Sequence, residues 1–257
     1  GVTNTWIAAA AGDWSDDANW SLGHSPIEGE DPTFDGTSVN NCNADDPTPT
    51  GVLTIAAGYT GTITQSSDMY ISGYSQAGGT FTGAITKWVY CSGDFVKTVP
   101  NSFYILNLNS NGTGTVIQIP VDQEGVYHLQ IGGEVTLINT LYVEKLIVTN
   151  HLTINNVLGV AMYWSGTVDN YGLIDGPGTL RLNTYDSSPT WNNIGTIEVA
   201  QLQISGRPDE TGSRTIKLGN DLNCNLLTTM SYHATYTCTL DLNGYDLECD
   251  SLTIGNR

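Results

Sequence analysis

Leu146-Ile147-Val148-Thr149-Asn150-His151-Leu152-Thr153-Ile154 holds the pattern that decides the fold. Two apolar-x-apolar triplets flank a short polar break. Alternation over so few residues gives short β-strands with one face buried. The same unit recurs along the chain, as Leu53-Thr54-Ile55, Met69-Tyr70-Ile71, Leu106-Asn107-Leu108 and Leu129-Gln130-Ile131. It continues as Leu180-Arg181-Leu182, Leu202-Gln203-Ile204, Leu240-Asp241-Leu242 and Leu252-Thr253-Ile254. Intervals such as Leu53 to Met69 and Leu180 to Leu202 are about 16 to 22 residues.

Short strands at that interval, with few hairpin turns between them, predict a right-handed parallel β-helix (a β-solenoid) of about 20 residues per coil. Each coil buries its inward residues only when a neighbour stacks on it. Asn and Thr at the corners are expected to form hydrogen-bonded ladders along the stack. The rival is an antiparallel β-sandwich or jelly roll, for which Asn111-Gly112 and Asn243-Gly244 are the hairpin signals.

Composition agrees with an all-β chain. The 257 residues include 29 glycines, and Thr and Asn are abundant while strong helix formers are scarce. The formal net charge is −18, with only 8 Lys and Arg. Eight scattered cations cannot make the basic stripe that nucleic acid requires, nor a patch for an anionic membrane. No apolar run reaches the roughly 18 residues of a membrane span, and no basic-then-apolar signal segment opens the chain. The sequence reads as a soluble, acidic protein.

Residues 1–50 differ from the rest. They hold Trp6, Trp14 and Trp20, several carboxylates, and end in Asp45-Asp46-Pro47-Thr48-Pro49. This predicts an irregular, Trp-rich amino-terminal cap over 1–50 and a solenoid body over 51–257, with a break near 96–102 around Pro100. A solenoid exposes unpaired strand edges at its ends. The triplet Leu252-Thr253-Ile254 stops mid-pattern. The body is therefore expected to continue, or to contact another subunit, at its carboxy end.

The opening also carries a resemblance. Trp6, Gly12-Asp13-Trp14-Ser15, Asn19-Trp20-Ser21, Pro26 and Gly29-Glu30-Asp31-Pro32-Thr33-Phe34-Asp35-Gly36 resemble the G-x-W-S…N-W-S…P…G-D…F-D-G start of many secreted or surface β-helix proteins. These include autotransporter passengers and phage or metagenomic surface solenoids. The resemblance is specific over about 35 residues and implies a surface-displayed structural or adhesive solenoid. It carries no catalytic residues with it. Pro32 stands where the pattern has an apolar residue, which implies a late start for the first strand.

Candidate chemistry is sparse. Glycosidases need two carboxylates about 5–10 Å apart. Asp169 and Asp175, near Trp164 and Tyr171, are the best catalytic candidates, or else turn residues flanking a stacked aromatic. Gly73-Tyr74-Ser75-Gln76-Ala77 approaches a nucleophile elbow without its strand-to-helix setting. Glu28, Glu30, Asp31 and Asp35 offer hard oxygen ligands of the kind Ca²⁺ takes, but their spacing matches no calcium repeat and equally suits a solvated cap loop. The four histidines show no metal-ligand spacing. Tyr70, Tyr74, Trp88 and Tyr90, with Tyr59, are candidates for a sugar-binding stripe on the outer wall, or for packing. Five cysteines leave at least one unpaired within the chain. A disulfide among Cys224, Cys238 and Cys249 suits an oxidising setting, and buried apolar thiols are the alternative.

These readings converge on a non-enzymatic structural or adhesive solenoid at an extracellular, cell or virion surface, a subunit of a fibre, filament or spike. No cofactor is expected. The expected partners are further copies or neighbouring subunits through the solenoid ends, and cell-surface glycans. A glycan-binding adhesin and a polysaccharide depolymerase are the alternatives.

Overall fold

The computed structural model describes residues 1–99, 105–108, 115–118, 126–137, 141–162, 167–184, 190–206, 214–217, 222–231 and 238–256. Its strands stack in parallel coils, a β-solenoid, with one short 3-10 turn at Asp17–Asn19. Contacts divide the chain into two compact units, Gly1–Tyr127 and His128–Arg257. The Asn111-Gly112 signal and Trp164 lie outside the described residues.

In the second unit each inward triplet lands directly on its counterpart in the next coil. Leu141 pairs in register with Leu158, Leu158 with Leu180, Leu180 with Leu202, Leu202 with Leu227 and Leu227 with Leu252. Two further ladders form the other faces. One runs from Leu146 to Val168 and Trp191, the other from Val135 to Leu152, Ile174 and Ile197. A single coil thus uses His151–Ile154, Val157–Met162 and Thr167–Asn170 as three sides. Consecutive triplets such as Leu146-Ile147-Val148 and Leu152-Thr153-Ile154 therefore occupy different faces. Leu146, Leu158, Leu180, Leu202, Leu152 and Ile174 are all fully buried.

Polar side chains continue the stack outside. Thr153 donates to Asp175 at 2.8 Å, Thr179 to Gln201 at 3.2 Å and Arg181 to Gln203 at 2.6 Å, each across 22 residues. That separation is the coil length here. Corners are tight where glycines stack: a side chain at Gly195 would run into the Gly172 backbone, and one at Gly172 into Asn150. The Asn243-Gly244 signal also serves as a corner. Both residues have positive φ, and Tyr245 N–H bonds back to Leu242. The strands it joins, Cys238–Asp241 and Leu247–Asn256, pair in parallel with Arg214–Lys217 and Leu222–Ser231. The antiparallel alternative does not describe this chain.

The first unit is built the same way. Val2–Thr5 pairs with Glu30–Phe34, which pairs with Thr50–Ile55, then Met69–Gln76, then Trp88–Cys91 and Phe95–Lys97. A second ladder runs through Gly12–Asp13, Cys42–Ala44, Thr62–Gln65 and Thr80–Thr82. Residues 1–50 thus contribute ladder strands as well as the aromatic cluster. Trp6, Trp14, Trp20 and Phe34 pack with ring centroids 4.8–5.9 Å apart, and Tyr59 closes on Phe34 at 5.0 Å. Three of the polar ends are bonded within the cluster: Trp6 Nε1 and Tyr59 Oη both donate to the Asn40 carbonyl, and Trp20 Nε1 donates to the Trp14 carbonyl. The outer edge of Val2–Thr5 does not stand bare. Ser21 N–H donates to Thr5 O, Ile7 N–H donates to Asn19 O, and Trp6 bridges Trp20 antiparallel.

The late start implied at Pro32 is not what forms. Strand Glu30–Phe34 runs through Pro32, which faces Asn4 in register. What lapses is the next rung: pairing onto Thr50–Ile55 resumes only at Thr33 and Phe34. Proline has no N–H to donate to that rung; beside it, the Val52 N–H of the facing strand donates to the Asp31 carboxylate at 2.9 Å. Residues 96–99 carry on from the ladder strand Phe95–Lys97; Pro100 lies outside the described residues.

Candidate functional site

The outer wall of the first unit carries the best-organised surface among the residues singled out above. In Met69–Gln76, Met69 and Ile71 point inward, so Tyr70 points out and is 39% exposed. Tyr90 is its in-register partner one coil on. Coils rise by about 4.8 Å, which is ring-stacking distance, and the two rings lie 4.8 Å apart at 2°. Trp88 adds a third ring, 5.7 Å from Tyr90 at 19°. Its backbone is held from both sides: Trp88 N–H donates to Asp68 Oδ1 at 2.9 Å, and Gln65 Nε2 donates to Trp88 O at 2.9 Å. Burial, then the neighbouring Tyr70 and Asp68, raise the Tyr90 phenol above its ordinary pKa. It stays a neutral donor at physiological pH. Stacking uses one face of Tyr70 and one of Tyr90 within the protein; what the surface presents besides is ring edges and hydroxyls.

Tyr74 is not part of this wall. The strand reverses phase at Gly73, so that Gly73 and Tyr74 are both buried. Met69–Ile71 pair onto Val89–Cys91 but Tyr74–Gln76 onto Phe95–Lys97, so the strand passes from one ladder partner to the next around Gly73, where a Cβ would press on Val52. The Tyr74 ring stacks on Phe95 at 4.6 Å, and its hydroxyl donates to Gln76 Oε1 at 2.7 Å. Burial pushes that phenol well up. Gly73-Tyr74-Ser75-Gln76-Ala77 is continuous with the strand and makes no elbow.

Asp169 and Asp175 fall on different ladders. Asp169 lies between Ile147 and Asn192 in register, Asp175 between Thr153 and Glu198. The corner at Tyr171 and Gly172 separates them. Asp175 is engaged by His151 Nε2 at 3.0 Å and Thr153 Oγ1 at 2.8 Å. Asp169 acts on His128 instead. Burial and then Lys145 lower that imidazole to about 4, with Asp169 opposing them.

The four amino-terminal carboxylates do not converge on a common point either. Glu30 accepts from Asn4 Nδ2 at 3.2 Å and Ile27 N–H at 3.3 Å, with His24 Nε2 at 3.5 Å. Asp31 holds Val52, and Asp35 caps its own turn by accepting Thr37 N–H at 2.8 Å, which lowers its carboxyl pKa. Glu28 is exposed. Among the described residues no three His, Cys, Asp or Glu side chains are grouped to hold a metal ion.

Two features escaped the sequence reading. Asn4 is fully buried and pins the amino-terminal turn: its amide donates to His24 O and Glu30, and its oxygen accepts Leu22 N–H at 3.2 Å. Lys97 is 1% exposed and stacks in register on Gln76. Burial lowers its ammonium pKa to about 8. The alternation Phe95-Val96-Lys97 was the available signal, since an inward Phe95 carries Lys97 inward with it. Cys42 and Cys91 are buried, and burial raises both thiols, Cys91 to about 11; raised, buried thiols are poor nucleophiles.

No protein-family model matches the chain, and no match was found among curated proteins or solved structures. Among the described residues no helix is long and apolar enough to cross a membrane.

Proposed function

We propose that the chain is a structural and adhesive element of an extracellular surface, working as a stiff solenoid in a fibre, filament or spike rather than as an enzyme. The observation that carries this reading is the unbroken in-register stack from Leu141 through Leu158, Leu180 and Leu202 to Leu227, buried along its length. A ladder of this kind resists bending and proteolysis because each coil's backbone is bonded on both sides and its apolar face is covered. Net charge of −18 keeps such surfaces apart until specific contacts form. The amino-terminal likeness to secreted solenoids supports the placement outside the cell.

The test is immunogold electron microscopy of native source material with an antibody to this chain. Label on continuous filaments, cell-surface layers or virion appendages is the expected result. Label on dispersed single molecules overturns the assembly role.

A second reading, adhesion to carbohydrate, is favoured by the Tyr70, Tyr90 and Trp88 rings stacked in parallel along the outer wall. Mutual stacking holds the rings rigid, so their exposed edges and hydroxyls meet a sugar at low entropic cost. A glycan array should then show hits that Trp88→Ala weakens at least tenfold. An array without hits, or hits indifferent to that change, removes this reading and leaves the structural one standing.

A further inference from the structure

Cys224 and Cys249 are direct register partners on the parallel strands Leu222–Ser231 and Leu247–Asn256. In-register neighbours in a parallel ladder send their side chains to the same face and sit about 4.8 Å apart. That falls within the Cα separation of about 4.4–6.8 Å that a disulfide spans. A second observation agrees: Cys249 acts electrostatically on Cys224, after burial, in raising its thiol to about 11. Both are free thiols, Cys224 buried and Cys249 half-buried. The other described thiols lack this relation, for Cys42 stacks between Gly12 and Ile63, and Cys91 between Ile71 and Leu108.

We propose that Cys224 and Cys249 are a redox-active pair that closes to a disulfide stapling two consecutive coils when the chain meets a low-molecular-weight disulfide. The half-buried Cys249 thiolate attacks one sulfur of the small disulfide. A bond forms from Cys249 Sγ to that sulfur, the small disulfide's S–S bond breaks, and the first small thiolate leaves and takes up a proton. Cys224, as thiolate, then attacks Cys249 Sγ and displaces the second small thiolate, which is protonated in turn. The two protein thiols lose two electrons together, and the small disulfide gains them as two thiols. Cys224 ionises reluctantly, so the second step is the slow one and speeds up as pH rises. The staple crosses a rung already flanked by Leu222 with Leu247 and Leu226 with Ser251. While oxidised, it adds a covalent link to a pairing that is otherwise held by hydrogen bonds and packing.

The experiment treats the full chain, natively folded, with oxidised glutathione at pH 8.5. Remaining thiols are alkylated, and the protein is digested without reduction by chymotrypsin, which cuts after Tyr232, Tyr236 and Tyr245 and so separates Cys224, Cys238 and Cys249. The expected product is a linked peptide pair containing Cys224 and Cys249, with hydrogen exchange over residues 247–253 slowed about tenfold. Cys224→Ala should stop at a stable glutathione adduct on Cys249, and Cys249→Ser should yield neither adduct nor link. Should Cys224→Ala fail to fold, the unmodified chain still decides the matter. A persistent glutathione adduct on Cys249, a link through Cys238, or two unreacted thiols there would each overturn the proposal.

Discussion

Replacing Leu180 by Ala is the sharpest probe of the stack. Leu180 is fully buried, with Leu158 on one side and Leu202 on the other in strict register. The change removes about three carbons, worth roughly 2.4 kcal/mol of transfer free energy at about 0.8 per methylene. The neighbours cannot slide in to fill the gap, because both are fixed by ladders on either side of the cavity. The loss should therefore lie in the middle to upper part of the usual range of about 2–5 kcal/mol, near 3–4. Equilibrium urea unfolding followed by far-ultraviolet circular dichroism reads this directly. With a slope of about 2 kcal/mol/M, the midpoint should fall by roughly 1.5–2 M. Thr179→Ala in the same strand is the control, since it removes one outward hydrogen bond to Gln201 and should cost about 0.5–1 kcal/mol. A loss below about 1 kcal/mol for Leu180→Ala, or equal losses for both, would refute the inward stacking of this triplet.

Three further outcomes follow from particular residues. Lys97 has a folded pKa lowered to about 8 from 10.5, so between those values the unfolded chain binds more protons and stability rises with pH. The stability difference between Lys97→Met and the parent chain should shift in the parent's favour, by up to about 3 kcal/mol, as pH climbs from 8 to 10.5; a difference that does not change with pH in paired melts would contradict a buried ammonium. Gly195→Ala forces a Cβ into the Gly172 backbone and should cost about 1–3 kcal/mol; a neutral melting temperature would show the corner is looser than drawn. Asn4→Ala takes their Asn4 partner from the Leu22 N–H and the His24 carbonyl, costing about 1–3 kcal/mol. Hydrogen exchange at residues 21–24 should accelerate with it, and unchanged protection there would contradict the pinning role.

Much of the fold could be read from residue patterns because a solenoid repeats one local rule. Leu180-Arg181-Leu182 and Leu202-Gln203-Ile204 look alike in the sequence, and they stack on each other in space. Errors arose where the rule changes phase. Tyr70 and Tyr74 are four apart on one strand and read as equivalent, yet the phase reversal at Gly73 puts one outside and the other in the core. Asp169 and Asp175 are close in sequence, but a coil corner assigns them to different faces. Pro32 misled in another way: the strand runs through it despite its missing N–H, and only the pairing onto the next coil lapses there. Corner positions depend on how successive coils fit together, so no single coil's sequence encodes them. The aromatic pair Tyr70 and Tyr90 lies between these cases. Both were singled out for their ring chemistry, but their contact exists only because the coil length brings them into register.

The most direct measurement is a methyl-resolved NMR spectrum of the deuterated chain with protonated leucine methyl groups. A parallel in-register solenoid requires cross-peaks between Leu158 and Leu180, between Leu180 and Leu202, and between Leu202 and Leu227. Those contacts at near-constant sequence separation are the expected result. Cross-peaks that instead link triplets at mirror-image separations about a turn, as antiparallel strands would produce, would contradict the parallel stack.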